Sequence, residues 1–309
     1  MKIKLIVIIV FSSLMMYAQV GTYQFMHIDM SARSGALGGS FSANDDDANI
    51  IFYNPAGIGL LKEKPISFSY TSYLVDINLA SIAYSMEFEN IGRFGVGLKY
   101  INYGEFQEAD EFGNKFGTFG VNEAAFLVGY SNKLDDNFYY GANAKFIFSK
   151  IADRTSMALA GDVGLHYFFP NQLINIGFSI NNIGAQIQSY VSTKEELPLD
   201  IVIGVSKRLE HLPLRMYLDF HKLNQDADQF FSRFQSFSFG AEFNLSKALR
   251  LRLGYDNEKR RELKIGTFAG LSGFNAGVGI VIKNYTFDYG FSSMGLIGEI
   301  HRISLSTSL

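Results

Sequence analysis

Ser236-Phe-Ser-Phe-Gly-Ala-Glu-Phe-Asn-Leu245 decides how this chain folds. Phe237, Phe239, Ala241, Phe243 and Leu245 take every second position, with Ser238, Gly240, Glu242 and Asn244 between them. A period of two puts each set on one face of an extended strand. Leu249, Leu251, Leu253 and Tyr255 repeat the pattern around Arg250, Arg252 and Gly254. In water the apolar face would need a second sheet or helices to cover it, yet no amphipathic helix of adequate length follows these strands. A closed barrel meets the same need with lipid outside and polar side chains and water within. The pattern therefore predicts an all-β fold, a transmembrane antiparallel β-barrel.

Extended along the chain, the alternation and the turn signals between its runs give about fourteen strands. They fall near 65–74, 77–88, 92–103, 120–133, 137–150, 154–169, 172–182, 198–209, 213–223, 235–245, 248–256, 270–282, 284–293 and 301–309. Connections after the even-numbered strands are tight: Glu89-Asn90-Ile91, Asp135-Asp136, Pro170-Asn171, Glu210-His211, Ser246-Lys247 and Lys283-Asn284. Those after the third, seventh, ninth, eleventh and thirteenth are longer, which matches short periplasmic turns and long external loops. An even strand count returns both ends of the sheet to the periplasm. The last strand alternates to Leu309, in the manner of the terminal strands that outer-membrane assembly machinery reads.

Residues 1–18 read as a signal peptide: Lys2 and Lys4 start it, Leu5 to Met16 is nearly all apolar, and Ala18 precedes the expected cleavage. Residues 19–64 do not alternate, and are expected to form a plug or hatch within the barrel of residues 65–309. The acidic triplet Asp45-Asp46-Asp47 precedes Ala48 to Tyr53 and is placed to cap a short helix there, which Pro55 would end.

Composition agrees. Without the two signal lysines the chain holds 25 Lys and Arg against 30 Asp and Glu, a formal charge of −5 that offers nothing to nucleic acid. No cysteine is present, so there is no disulfide framework and no lipid-anchored cysteine. With 17 Tyr, 29 Phe and no Trp, any aromatic belt at the membrane surfaces must use Tyr and Phe.

Several stretches carry a family resemblance. They are Ser31-Ala-Arg-Ser-Gly-Ala-Leu-Gly-Gly39, the acidic triplet leading into Asn54-Pro55-Ala56-Gly57, and Tyr100-Ile-Asn-Tyr-Gly-Glu-Phe106 continuing to Gly117-Thr-Phe119. Asn182-Ile-Gly184, Leu197-Pro-Leu199 and Gly254-Tyr255 through Arg260-Arg-Glu-Leu-Lys264 follow. In these the chain resembles the PorQ barrels, outer-membrane proteins of the type IX secretion system of Bacteroidota, within the wider FadL-like family. Asn54-Pro55-Ala56 is shared with FadL-type transporters and PorV barrels, whereas the loop and C-terminal stretches favour PorQ. The resemblance implies an outer-membrane anchor without catalysis or cofactor. It would hold a PorZ-like surface protein and, through it, PorU and PorV, in a complex that attaches secreted cargo to anionic lipopolysaccharide. A FadL-like transporter of hydrophobic small molecules is the alternative.

Among individual residues, Lys99, Lys145, Asp162, Asp219, Glu242, Arg250, Arg252 and Asp288 are expected to face the lumen, where their charges either line a path or pair with each other and the plug. Facing lipid at mid-depth, Arg or Lys would cost roughly 2–4 kcal/mol. The external loops offer Phe112, Lys115, Phe116 and Phe119 in one connection and Lys259, Arg260, Arg261 and Lys264 in another as partner-binding candidates. The bland readings are aromatics folded over the barrel mouth and a solvated charged loop. Asp219 and His221 share one face of a strand and could form half of a hydrolytic site, but no positioned nucleophile accompanies them. His27, His166, His211 and His301 show no metal-ligand spacing.

Overall fold

A computed structural model of the chain describes residues 22–225, 230–264 and 270–309, so the expected signal segment lies outside the described residues. Fourteen strands form a closed antiparallel barrel in chain order. β1 (Pro65–Ser72) pairs with β14 (Glu299–Ser308) through Phe68↔Leu305 and Thr71↔Arg302, which removes both sheet edges. Between them run β2 (Asn78–Phe88), β3 (Gly92–Ala109), β4 (Lys115–Asp135), β5 (Phe138–Ile151), β6 (Arg154–Phe169), β7 (Ile174–Gln188) and β8 (Asp200–Arg208). β9 (Leu214–Phe220), β10 (Phe237–Asn244), β11 (Leu249–Asp256), β12 (Phe274–Ile282) and β13 (Tyr285–Ser293) complete the ring.

Burial is inverted relative to a protein folded for water. Phe68, Phe126 and Leu253 are among many large apolar side chains exposed on the outer wall, while Ser67, Ser131 and Asp162 are buried inside. In the stretch that predicts the fold, Phe239 faces out and Ser238, Gly240 and Glu242 face in. No helix among the described residues is long and apolar enough to cross a membrane. Strands supply the crossing, because a closed sheet satisfies its own backbone groups within lipid.

Rings of Tyr and Phe mark two levels on the wall. Near the short turns, Phe88, Phe94, Tyr130 and Tyr140 form one run of ring contacts, and Phe138, Tyr167 and Phe169 another. Near the long connections, Phe220, Phe237, Tyr255 and Phe274 continue from strand to strand. Amphipathic rings at both levels frame an apolar band, as in membrane barrels generally.

The wall is uneven in height. β8 to β14 have 7 to 10 residues each, whereas β3 has 18 and β4 has 21. Asp110 to Thr118 is expected from the sequence as a loop; instead the two strands run on as a paired ribbon, with Phe106↔Phe119 and Glu108↔Gly117 in register. Only the turn between Ala109 and Lys115 is left, where the Asp110 carboxylate accepts the backbone N–H groups of Phe112 and Asn114. β2 leaves β3 at Asn102 and β5 reaches β4 only at Val121, so the ribbon stands clear of its neighbours over roughly 20 Å.

Residues 22–64 thread the lumen from the long-loop end to the short-turn end as short helical turns: Gln24–His27, Ala32–Ala36, Ala48–Phe52 and Pro55–Leu60. Ser31 and Asp47 cap the second and third. The Asp47 cap matches the sequence expectation. Pro55 departs from it: it does not merely end a helix but occupies the first turn of the next, where its missing N–H costs nothing. Leu37, Phe41, Ile50, Ile51, Phe52 and Ile58 form a small apolar core with Ala83, Leu127 and Tyr217 of the wall.

Candidate functional site

Two levels of the lumen are built differently. In the half nearer the short turns, the plug is tied to the wall by ion pairs. Arg33 meets Glu242 at 2.8 Å and Asp46 at 2.9 Å; Arg252 meets the same Glu242 and Asp288, each at 2.6 Å. Arg215 reaches Asp45 at 2.7 Å and Asp46 at 3.3 Å, and Arg208 reaches both from the rim. Burial opposes the charge on Asp46, but the Arg33, Arg215 and Arg208 guanidiniums outweigh it and hold the carboxyl well below its usual range.

Asn54-Pro55-Ala56-Gly57 is a fitted joint. The Asn54 side chain accepts from the Ala56 N–H at 3.1 Å and donates to Ser42 O at 3.1 Å and Leu165 O at 3.0 Å. A Cβ on wall residue Gly141 would lie 2.5 Å from Pro55, and one on Gly57 would lie 2.3 Å from Ile50. Gly141 lets the plug backbone touch the sheet, and Gly57 lets two turns of the plug pack against each other. Gly38 adds a conformational need: at φ 71 it turns the chain against the Tyr255 backbone.

Nearer the long connections a cavity of ≈ 230 Å³ remains between plug and wall. Plug residues His27 and Asp29, wall residues Lys99, Asp200 and Arg302, and loop residue Lys259 are among its lining. Asp200 stands 3.7 Å from His27 Nδ1 and 3.8 Å from His221 Nδ1. Burial disfavours the His221 imidazolium, but the nearby Asp200 carboxylate outweighs it and raises its pKa to about 9.

No family model matches the chain. It is 24% identical over 212 residues to a UPF0164 protein of Treponema pallidum (strain Nichols), a match covering 61% of this chain and 49% of that protein. The chain thus spans about half the length of the curated relative it matches. Among solved structures, the Ralstonia pickettii toluene transporter TbuX aligns over 92% of this chain and 100% of its own, with TM-score 0.61 and 14% identity. A Pseudomonas aeruginosa FadL homologue covers 91% of this chain and 99% of its own, with TM-score 0.59 and 9% identity. The Pseudomonas putida toluene transporter TodX gives TM-score 0.61 and 11% identity, over 92% of this chain and 99% of its own. The fold is that of the FadL-like outer-membrane barrels. At these identities the likeness fixes architecture and leaves the role open.

Within this FadL-like barrel, Lys99, Lys145, Asp162, Asp219, Glu242, Arg252 and Asp288 are buried on the lumen side, and Arg250 lines a recess at the short-turn end. Asp219 and His221 do not form a pair poised over an open site. Asp219 accepts the plug N–H groups of Phe41 and Ser42 at 3.0 and 2.8 Å, and His221 Nε2 meets Ser238. Phe112 and Phe116 are 81% and 65% exposed on the ribbon tip, Lys115 is exposed beside them, and Phe119 stacks on Phe106 with ring centroids 5.5 Å apart. The basic connection splits. Lys259 turns inward to Asp256 at 2.9 Å and Asp29 at 3.5 Å, and Arg260 lies over the Phe274 ring, while Arg261 and Lys264 remain exposed.

Sequence reasoning passes over Arg33, Arg215 and Arg302, each of which ties plug to wall. Arg302 alternates with Ile303 and Leu305 on the last strand, a signal sufficient to place it in the lumen. Arg33 sits in a short helical turn with no periodicity to read.

Proposed function

We propose that this barrel is an outer-membrane anchor whose long-loop rim receives a surface partner. The observation that carries the reading is the β3–β4 ribbon, which projects Phe112 and Phe116 into open space where an isolated protein gains nothing from them. Exposed aromatics of this kind serve as interface anchors. The resemblance to PorQ barrels names the partner as a PorZ-like protein, joined through it to PorU and PorV in attaching cargo to anionic lipopolysaccharide. Arg261 and Lys264 lie on the same rim as candidate contacts. Deleting the gene is expected to release the PorZ-like protein from the cell surface; retention at normal levels ends the reading.

A second reading has its own support: transport of a hydrophobic small molecule. The comparisons favour it over the first, since the structural neighbours named above include toluene transporters and a FadL homologue. Against it stands a lumen crossed by the Arg33, Glu242 and Arg252 ion pairs, while the remaining cavity mixes Lys99, Asp200 and Arg302 with apolar Phe52, Val202 and Ile300. Toluene or fatty-acid uptake that disappears with the protein would establish this reading in place of the first.

A further inference from the structure

Above the wall, the β3–β4 ribbon leaves two strand edges open. β2 pairs with β3 only as far as Asn102, and β5 pairs with β4 only as far as Val121. One bond fixes which backbone groups point outward. Gly120 O accepts the N–H of Ala152 from the β5–β6 turn, so the backbone groups of Gly120 point away from β3. Glu105, directly opposite, then points its own away from β4. Two residues on, Gln107 and its opposite Thr118 repeat the arrangement. Glu105 and Gln107 thus offer N–H and C=O groups to the side that β2 has vacated, and Thr118 offers them to the other side.

The two edges differ in what surrounds them. Glu105, Glu108, Asp110 and Glu111 lie on the β3 side and the turn, whereas Lys115, the one cation in residues 103–120, begins the β4 side. Every residue from Glu105 to Phe116 is exposed. At the foot of the β3 edge a Cβ on Gly104 would lie 3.3 Å from Asp76, whose neighbour Val75 is 92% exposed. At the foot of the β4 edge the exposed residues are the charged Asp153 and Arg154. Edges that must stay single are commonly guarded by Lys or Pro, and the β3 side has neither from Tyr103 to Asn114. Register is unbroken from Glu105↔Gly120 to Glu108↔Gly117, so the edge is regular over that length. Its carboxylates repel a second copy of the same edge and attract a basic chain.

We propose that an extended, Lys- or Arg-bearing segment of the surface partner completes the ribbon by adding a strand beside Glu105 to Ala109. The inference rests on the reading of the barrel as an anchor, and adds to it the mode and the side of docking. Backbone bonds to Glu105 and Gln107 hold the added strand, as in other complexes formed by strand addition. Glu105 and Glu108 stand on opposite faces of the ribbon, so cations on alternate sides of the segment each meet a carboxylate. Val75 gives the segment an apolar contact at its foot.

The test is retention of the PorZ-like protein on cells carrying barrel variants, with heat-modifiable gel migration as the check that each barrel has folded. Gln107→Pro removes an outward N–H and spares the β3–β4 ladder; it should cut retention roughly 10-fold. Gln107→Ala keeps that N–H and loses only the side-chain bond to Gly117 O. It and Thr118→Pro, the same change on the other edge, should each stay within about 2-fold of the unaltered barrel. Loss on gene deletion with normal retention in Gln107→Pro overturns strand addition alone, as does equal loss in the two proline variants. Retention after gene deletion removes the anchor reading and this inference with it. Should Gln107→Pro fail to fold, hydrogen exchange in the unaltered barrel, solubilised with the PorZ-like protein bound, decides. The Glu105 and Gln107 amides should slow on binding while that of Thr118 does not. No slowing at Glu105 and Gln107 overturns the proposal. So does slowing in the barrel alone that grows with its concentration, which would make a second copy the occupant.

Discussion

Close to the short turns, Arg33, Arg215 and Arg252 meet Asp45, Asp46, Glu242 and Asp288 in a network in which every guanidinium has at least one carboxylate. Close to the long loops, Lys99 and Arg302 hold the same plug through its carbonyl oxygens, and open space lies beside them. The lower half ties plug to wall by ion pairs, whereas at the upper level these two cations hold the plug through neutral carbonyls beside a cavity. Both levels fix the plug, one through charge pairs and the other through its backbone. A buried ion pair contributes little net stability compared with well-packed apolar groups, yet removing one partner is costly because the other is stranded.

The most severe test of this contrast is Glu242→Gln. It takes from Arg33 and from Arg252 a carboxylate that both share, leaving them Asp46 and Asp288, and should lower unfolding free energy in detergent by about 3 kcal/mol, read from the urea midpoint. A loss no larger than that of a surface substitution would abolish the distinction between the two levels. Asp219→Ala removes the acceptor for two plug N–H groups and is expected to cost about 2–3 kcal/mol, with faster proteolysis within residues 22–64 as a second measure.

His221 sharpens the comparison at the upper level. Its folded-state pKa of about 9 exceeds the unperturbed 6.5, so its pairing with Asp200 stabilises the fold fully below pH 6.5 and fades as pH rises through 9. Thermal unfolding should therefore fall across that window, and His221→Asn should flatten the fall. The smallest stability effect belongs to the ribbon. Phe112→Ser with Phe116→Ser should change stability by no more than about 0.5 kcal/mol while reducing retention of the surface partner. Equal retention would remove the ribbon from the proposed interface.

Much of this was legible before any coordinates. Alternation at Phe237 to Leu245 and Leu249 to Tyr255 located the wall, and the inward set on each strand located Glu242 and Arg252. The ribbon was less legible. Asp110 to Thr118, rich in glycine and charge, lacks a period-two pattern because neither of its faces touches lipid or plug. The basic connection misled in a different way. Lys259, Arg260 and Arg261 are adjacent in sequence, but a short helix, Asn257–Glu262, sends Lys259 inward while Arg261 stays exposed.

The sequence by itself determined that a sheet wraps around a polar interior, because side-chain direction in a strand is a local property that repeats every two residues. Only the tertiary structure decided which charges meet. Arg33 lies 209 residues from Glu242, and Asp29 lies 273 from Arg302. Whether a buried cation finds a carboxylate or a carbonyl depends on where a non-periodic plug comes to rest against the closed wall, and no local pattern encodes that position.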